Sequence, residues 1–194
     1  MFTDMNTIYN ARECGGYKIK QVTYTPKFFH YTSTEFMGQK EGDIITVLHD
    51  LEKGEIVMSD SMMERKTNTK FVKEVNGDVL IGGLGLGMII LAIQNKAIVK
   101  SITVVELDQI LIDFIMEELS PHLNDKVSIV CCDINDFIPT KKYDTIYCDI
   151  WNDVSGDNWD EMKSLTKKFK YSVNRENPNS SLDHWRKKDM QRLT

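Results

Sequence analysis

From residue 78 onward the chain alternates short apolar runs with amphipathic ones, and few folds accept that order. Residues 78–82, 101–106, 127–131 and 143–148 are β-rich runs of five or six residues with almost no polar interruption. Between and after them, residues 86–95, 109–119 and 159–171 carry helical periodicity. A short turn of helix is expected at 134–137 and a last helix at 182–192. Strands apolar on both faces, separated by helices, predict a parallel sheet covered on each side, the α/β class. Only 23 residues follow Tyr171, and none of them reads as a strand. The sheet is therefore expected to be truncated after the fourth parallel strand, leaving that strand as an edge.

The first third has a different character. Residues 17–24 alternate loosely, 44–48 are β-rich, and 55–58 follow a turn in which Gly54 takes a conformation that a Cβ resists. A small antiparallel β segment is expected over residues 1–60. The second unit, residues 61–194, holds the parallel sheet and the C-terminal helices. Ser61 and Glu64 have capping-box spacing, which predicts a helix over 61–75 closed by Asn76 and Gly77.

Composition sets limits. An apolar share of 41% and a charged share of 27% suit a globular chain. No signal peptide is read at the N-terminus, and the longest apolar run, 79–93, is too short and glycine-rich for a membrane span. No membrane partner and a cytoplasmic location are expected. Cys131, Cys132 and Cys148 sit in β-prone runs, where free thiols are expected to be buried, as suits a reducing compartment. Neither the cysteines nor His30, His49, His122 and His184 have zinc-site spacing, so no metal is expected. Residues 163–194 hold nine Lys or Arg against three Asp or Glu, a net +6 that leaves −11 on the first 162 residues of a chain at −5. This basic segment is either a solvated helical face or a contact for an acidic partner.

The run Asp78-Val-Leu-Ile-Gly82-Gly83-Leu-Gly85-Leu-Gly87 carries the functional reading. A strand feeds a glycine-rich turn and then a helix, so Gly83, Gly85 and Gly87 can bring backbone amides and the positive helix end to a ligand. Nineteen residues after Gly87 the next strand ends on Glu106, the place from which an acid grasps both ribose hydroxyls. Asp108 is expected to cap the following helix. The third strand ends at Asp133 and Ile134, the fourth at Asp149, followed by Trp151 and Asn152. Four strands thus deliver glycines or acids to one rim, where open α/β sheets bind ligands.

On these residues the stretch 78–149 resembles the cofactor-binding half of the class I S-adenosylmethionine-dependent methyltransferases, a Rossmann-like fold. It is most similar to their spermidine-synthase-like branch, and with the preceding β segment the resemblance covers roughly residues 42–150. It implies S-adenosylmethionine as cofactor, with Gly83, Gly85 and Gly87 near its methionine part. It places Glu106 on the ribose, Asp133 and Ile134 around the adenine, and Asp149 where a carboxylate takes a proton from an attacking amine. After Asp149 the chain has neither the proline-glycine run of the polyamine enzymes nor the Asn/Asp-Pro-Pro-aromatic signature of amino methyltransferases, so the acceptor stays open.

Asp149, Trp151 and Asn152 are the candidate catalytic residues. Trp151 either walls a cationic substrate or packs under the final helices. Three functions follow: a methyltransferase of unknown acceptor, a spermidine-synthase-like aminopropyltransferase using decarboxylated S-adenosylmethionine, or a non-catalytic cofactor-binding oligomeric module. A nicotinamide dehydrogenase is a distant fourth, since the glycines lack G-x-G-x-x-G spacing. A small-molecule acceptor is favoured over nucleic acid, and the exposed edge strand predicts a homo-oligomer.

Overall fold

The computed structural model describes residues 1–25 and 38–194; His30 lies outside them. A short 3-10 turn, Met5–Thr7, opens the chain. The antiparallel sheet then runs through β1 (Arg12–Cys14), β2 (Tyr17–Thr23), β3 (Ile44–Asp50) and β4 (Glu55–Ser59), in sequence order. Gly54 makes its expected turn with φ at +69°. Helix α1 (Met62–Glu74) leads to the parallel sheet, whose elements are β5 (Gly77–Gly82), α2 (Met88–Ile93), β6 (Val99–Glu106), α3 (Gln109–Leu119), β7 (Val127–Cys131), β8 (Thr145–Cys148), α4 (Asp157–Phe169), β9 (Ser181–His184) and α5 (Lys187–Gln191). Its order is β7-β6-β5-β8-β9, every pair parallel. The fold is α/β, with flanking helices and a small antiparallel sheet.

Burial explains the pattern. Val79, Leu80 and Ile81 of the central β5 are fully buried in succession, as a strand covered on both faces requires. Helix α3 buries Leu111, Ile112, Phe114, Ile115 and Leu119, and α4 buries Met162, Leu165 and Phe169, each at helical spacing. Asp108 caps α3 as expected, its Oδ1 accepting from the amides of Ile110 (2.7 Å) and Leu111 (3.4 Å). Asp60 ties the N-terminal turn and β3 to α1. Its buried carboxylate accepts from the Met5 amide (2.9 Å) and the Thr46 amide (2.7 Å), and pairs with Arg65 of α1 at 3.0 Å.

Several expectations are corrected. The sheet does not stop at the fourth strand: residues 181–184, expected as helix, pair in parallel with β8, so β8 is an inner strand. The helix expected over 182–192 shrinks to α5. Buried His184 and Trp185 anchor this outer edge, with Trp185 Nε1 donating to Thr67 Oγ1 at 3.1 Å. The helical turn expected at 134–137 is a plain turn, closed by the Asp136 and Phe137 amides on the Asp133 carbonyl. Ser61 stands at the N-cap position of α1 but makes no side-chain capping bond: its buried hydroxyl finds no partner among the described residues, and the Met62 amide goes to Gln39 Oε1 at 3.0 Å. Of the strand cysteines only Cys148 is buried. Cys131 is exposed and Cys132 half-buried, because β7 is an edge strand. No helix among the described residues is long and apolar enough to cross a membrane.

Candidate functional site

The carboxyl ends of β5, β6, β7 and β8 meet around a cavity of about 590 Å³, roofed by the antiparallel sheet. Gly83, Gly85, Glu106, Asp133, Ile134, Asp149, Trp151 and Asn152 all line it. Gly87 does not. A Cβ there would lie 2.5 Å from Leu119, so Gly87 serves the packing of α2 against α3.

Ladder bonds continue past the strand ends and hold the rim. The Gly83 amide donates to the Val105 carbonyl (2.9 Å), the Cys132 amide to that of Glu106 (2.9 Å), and the Asp149 amide to that of Gly82 (2.8 Å). Gly83, at φ +95°, lets β5 pass so close to β8 that a Cβ would sit 2.1 Å from the Asp149 carbonyl oxygen. Few amides of the glycine turn remain for a ligand. Leu84 donates to Glu106, Leu86 to the Met58 thioether at 2.9 Å, and Gly87 to the Leu84 carbonyl. Within 83–87 the Gly85 amide alone has no partner among the described residues.

Glu106 is aimed by the backbone around it. Its Oε2 accepts from the Leu84 amide (2.9 Å) and its Oε1 from the Asp108 amide (3.1 Å), which fixes the carboxylate at the cavity mouth. Each oxygen retains a lone pair for a further donor. Asp133 bends its own turn, Oδ1 accepting from the Asn135 amide at 2.7 Å. The Asp133 turn sets Ile134 against Gly82, where a Cβ would meet it at 3.3 Å.

Asp149 is half-buried, just past the end of β8. Burial pushes its carboxyl up to about 7, while a hydrogen bond from Asn68 works in the opposite direction. Asn68 is fully buried on α1. Its Oδ1 accepts from the Tyr147 hydroxyl at 2.9 Å, which orients the amide so that Nδ2 donates to the Glu64 carbonyl and to Asp149. The Tyr147 ring stacks on Phe71 with centroids 4.2 Å apart. Trp151 is buried, donates through Nε1 to Glu161 (2.8 Å) and meets His184 edge-on at 5.8 Å. It both packs and walls the cavity. Asn152 is exposed at the rim.

Sequence reasoning does not find Tyr17, Met58, Asn68 or Glu161. Asn68 left a readable trace, a polar residue three and four positions before Phe71 and Val72 on the buried stripe of α1. Tyr17, which donates to Asp108 at 2.7 Å, and Met58 come from another sheet and left none. The lining is strongly acidic. Among the described residues Asp50, Glu64, Glu106, Asp108, Asp133, Asp149 and Glu161 face one cation, Lys53, which already pairs with Asp50 at 3.3 Å. Among the described residues no cluster of His, Cys, Asp and Glu could hold a metal ion.

No protein-family model and no curated protein matches the chain. Solved structures with similar folds include a Thermoplasma acidophilum protein provisionally named as a methyltransferase (29% identity, 46% of this chain and 38% of that one, TM-score 0.36). Another is the N-methyltransferase NodS of Bradyrhizobium japonicum, solved with S-adenosylhomocysteine (15% identity, 59% of each chain, TM-score 0.46). A third is an S-adenosylmethionine-dependent methyltransferase of Clostridium acetobutylicum (23% identity, 58% of this chain and 46% of that one, TM-score 0.42). The chain thus spans between 38% and 59% of the length of these three.

Proposed function

We propose that this chain binds S-adenosylmethionine and transfers its methyl group to a small acceptor. One observation carries the reading: a glycine turn and three strand-end carboxylates, Glu106, Asp133 and Asp149, line a single cavity. A volume of about 590 Å³ suits a nucleoside-sized ligand. The backbone-anchored Glu106 would accept from both ribose hydroxyls, while Ile134 and Leu107 offer apolar surface to a purine. The acidic lining suits a cationic sulfonium and repels a phosphate backbone, which supports a small molecule over nucleic acid as acceptor.

When bound, the cofactor supplies an activated methyl electrophile, so the chain's own task is positioning and proton handling. Asp149, raised toward neutrality, is matched to accept a proton from an acceptor amine or hydroxyl. Asn68 and Tyr147 hold its carboxyl in place. Trp151, pinned by Glu161, gives the acceptor a flat wall.

Calorimetric titration with S-adenosylhomocysteine tests the reading. Glu106→Ala is expected to lower affinity by about 100-fold through loss of two charge-assisted hydrogen bonds. Glu106→Gln, which keeps the shape, should show a smaller loss with an unchanged circular dichroism spectrum. Parent-like affinity in Glu106→Ala would overturn the ribose assignment. Self-association through the sheet edges β7 and β9 is the accompanying expectation, and a monomeric mass by light scattering would remove it.

A further inference from the structure

We propose that Met58 is a specificity-determining residue that competes with a ligand's carboxylate for the Leu86 amide; the inference rests on the cofactor reading above. Met58 belongs to β4 of the antiparallel sheet, yet its Sδ sits 2.9 Å from the Leu86 nitrogen. A Cβ on Gly85 would lie 2.2 Å from the same sulfur, so that glycine is what makes room for it. The Leu86 backbone is held a second time where the Tyr9 hydroxyl donates to its carbonyl at 2.8 Å.

A second, independent feature aims the side chain. In the β3–β4 pair Leu48 opposes Met58 and His49 opposes Ile56, which leaves Val57 as an extra, unpaired residue. Consecutive side chains of a regular strand point to opposite faces, but Val57 and Met58 both line the cavity. The bulge turns Met58 inward, a use to which bulges beside active sites are put.

The chemistry of the contact makes it exchangeable. A thioether is a weak acceptor, whereas a carboxylate on a backbone amide forms a charge-assisted bond about twice as strong as a neutral one. The neighbouring Gly85 amide has no partner among the described residues, so a carboxylate arriving at this corner finds two successive donors once the thioether has moved. Methionine, unbranched and flexible, can be displaced without rearranging the core. A ligand with an amino-acid arm must therefore displace Met58, while one that ends at its thioether leaves Met58 in place.

The test is to titrate the parent, Met58→Ala and Met58→Leu with two ligands. One is S-adenosylhomocysteine; the other is methylthioadenosine, which shares its nucleoside and thioether but lacks the amino-acid arm. Met58→Ala is expected to tighten S-adenosylhomocysteine by about tenfold and methylthioadenosine by less than about twofold. Met58→Leu keeps the bulk without the sulfur and should give a smaller gain in the same sense. Equal shifts for both ligands, no shift, or weaker S-adenosylhomocysteine binding in both variants would overturn the assignment of Met58 while leaving the cofactor reading intact. If neither ligand binds any of the three proteins, the cofactor reading fails, and the role of Met58 goes with it.

Discussion

Asp149→Asn is expected to make the protein more stable at pH 8 and, with an acceptor that turns over, to lower the rate by about 10²–10⁴-fold. Both effects come from one carboxyl whose ionised form is poorly hydrated in the fold. Its pKa in the folded chain is raised to about 7, above the unfolded value, so folding favours the protonated form. That contribution is fully present below about pH 4, shrinks as pH rises, and is gone above about pH 7. The ionised parent then carries a cost that a neutral asparagine avoids. Melting curves at several pH values should therefore diverge between pH 4 and 7 and run parallel above. Parallel curves throughout would mean that Asp149 titrates as an ordinary exposed acid.

The acid limb of the same curves reports other groups. Asp144 is held low although burial works to raise it, because hydrogen bonds from Asn177, the Asp78 amide and Asn174 outweigh that penalty. Asp78 is held low in the same way by Lys141 and Ser101. Their stabilisation is present above about pH 4 and lost as pH falls through their folded values, so parent and variant should both weaken there.

Gly83→Ala is the second large effect. The new Cβ would meet the Asp149 carbonyl oxygen at 2.1 Å on a backbone already at φ +95°, and neither strand end can yield without breaking its ladder bonds. A loss of about 2–4 kcal/mol in denaturant unfolding is expected, together with loss of ligand binding. Gly85→Ala is the internal comparison. Its Cβ would meet the flexible end of Met58 rather than backbone, so the stability loss should be nearer 1 kcal/mol. Equal stability of Gly83→Ala and the parent would show that the rim can open there at no cost.

The features legible in the sequence are those written in local periodicity. The apolar runs of β5 and β8 and the stripes of α3 and α4 each read correctly because burial on one or both faces selects every residue in them. Strand β9 did not. Ser181-Leu-Asp-His184 holds one aliphatic residue, and the strand exists only because β8 offers its backbone a partner. The exposure of Cys131 has the same origin, since an edge strand keeps one side in water. In the site, the strand-end acids were readable from their spacing. The bulge at Val57 was not, because a bulge is defined by the opposing strand.

The roof of the cavity has a consequence for how the molecule comes together. Hairpins β1–β2 and β3–β4 close over short loops, whereas Tyr9 reaches Leu86 across 77 positions and Tyr17 reaches Asp108 across 91. Contacts of such separation carry a large loop-closure cost and are made late. During synthesis the first sheet emerges with these tyrosines waiting for partners not yet translated. With the function proposed above, a fluorescent nucleoside added to a refolding reaction is expected to light up only at the final docking step, its signal timing the completion of the native state.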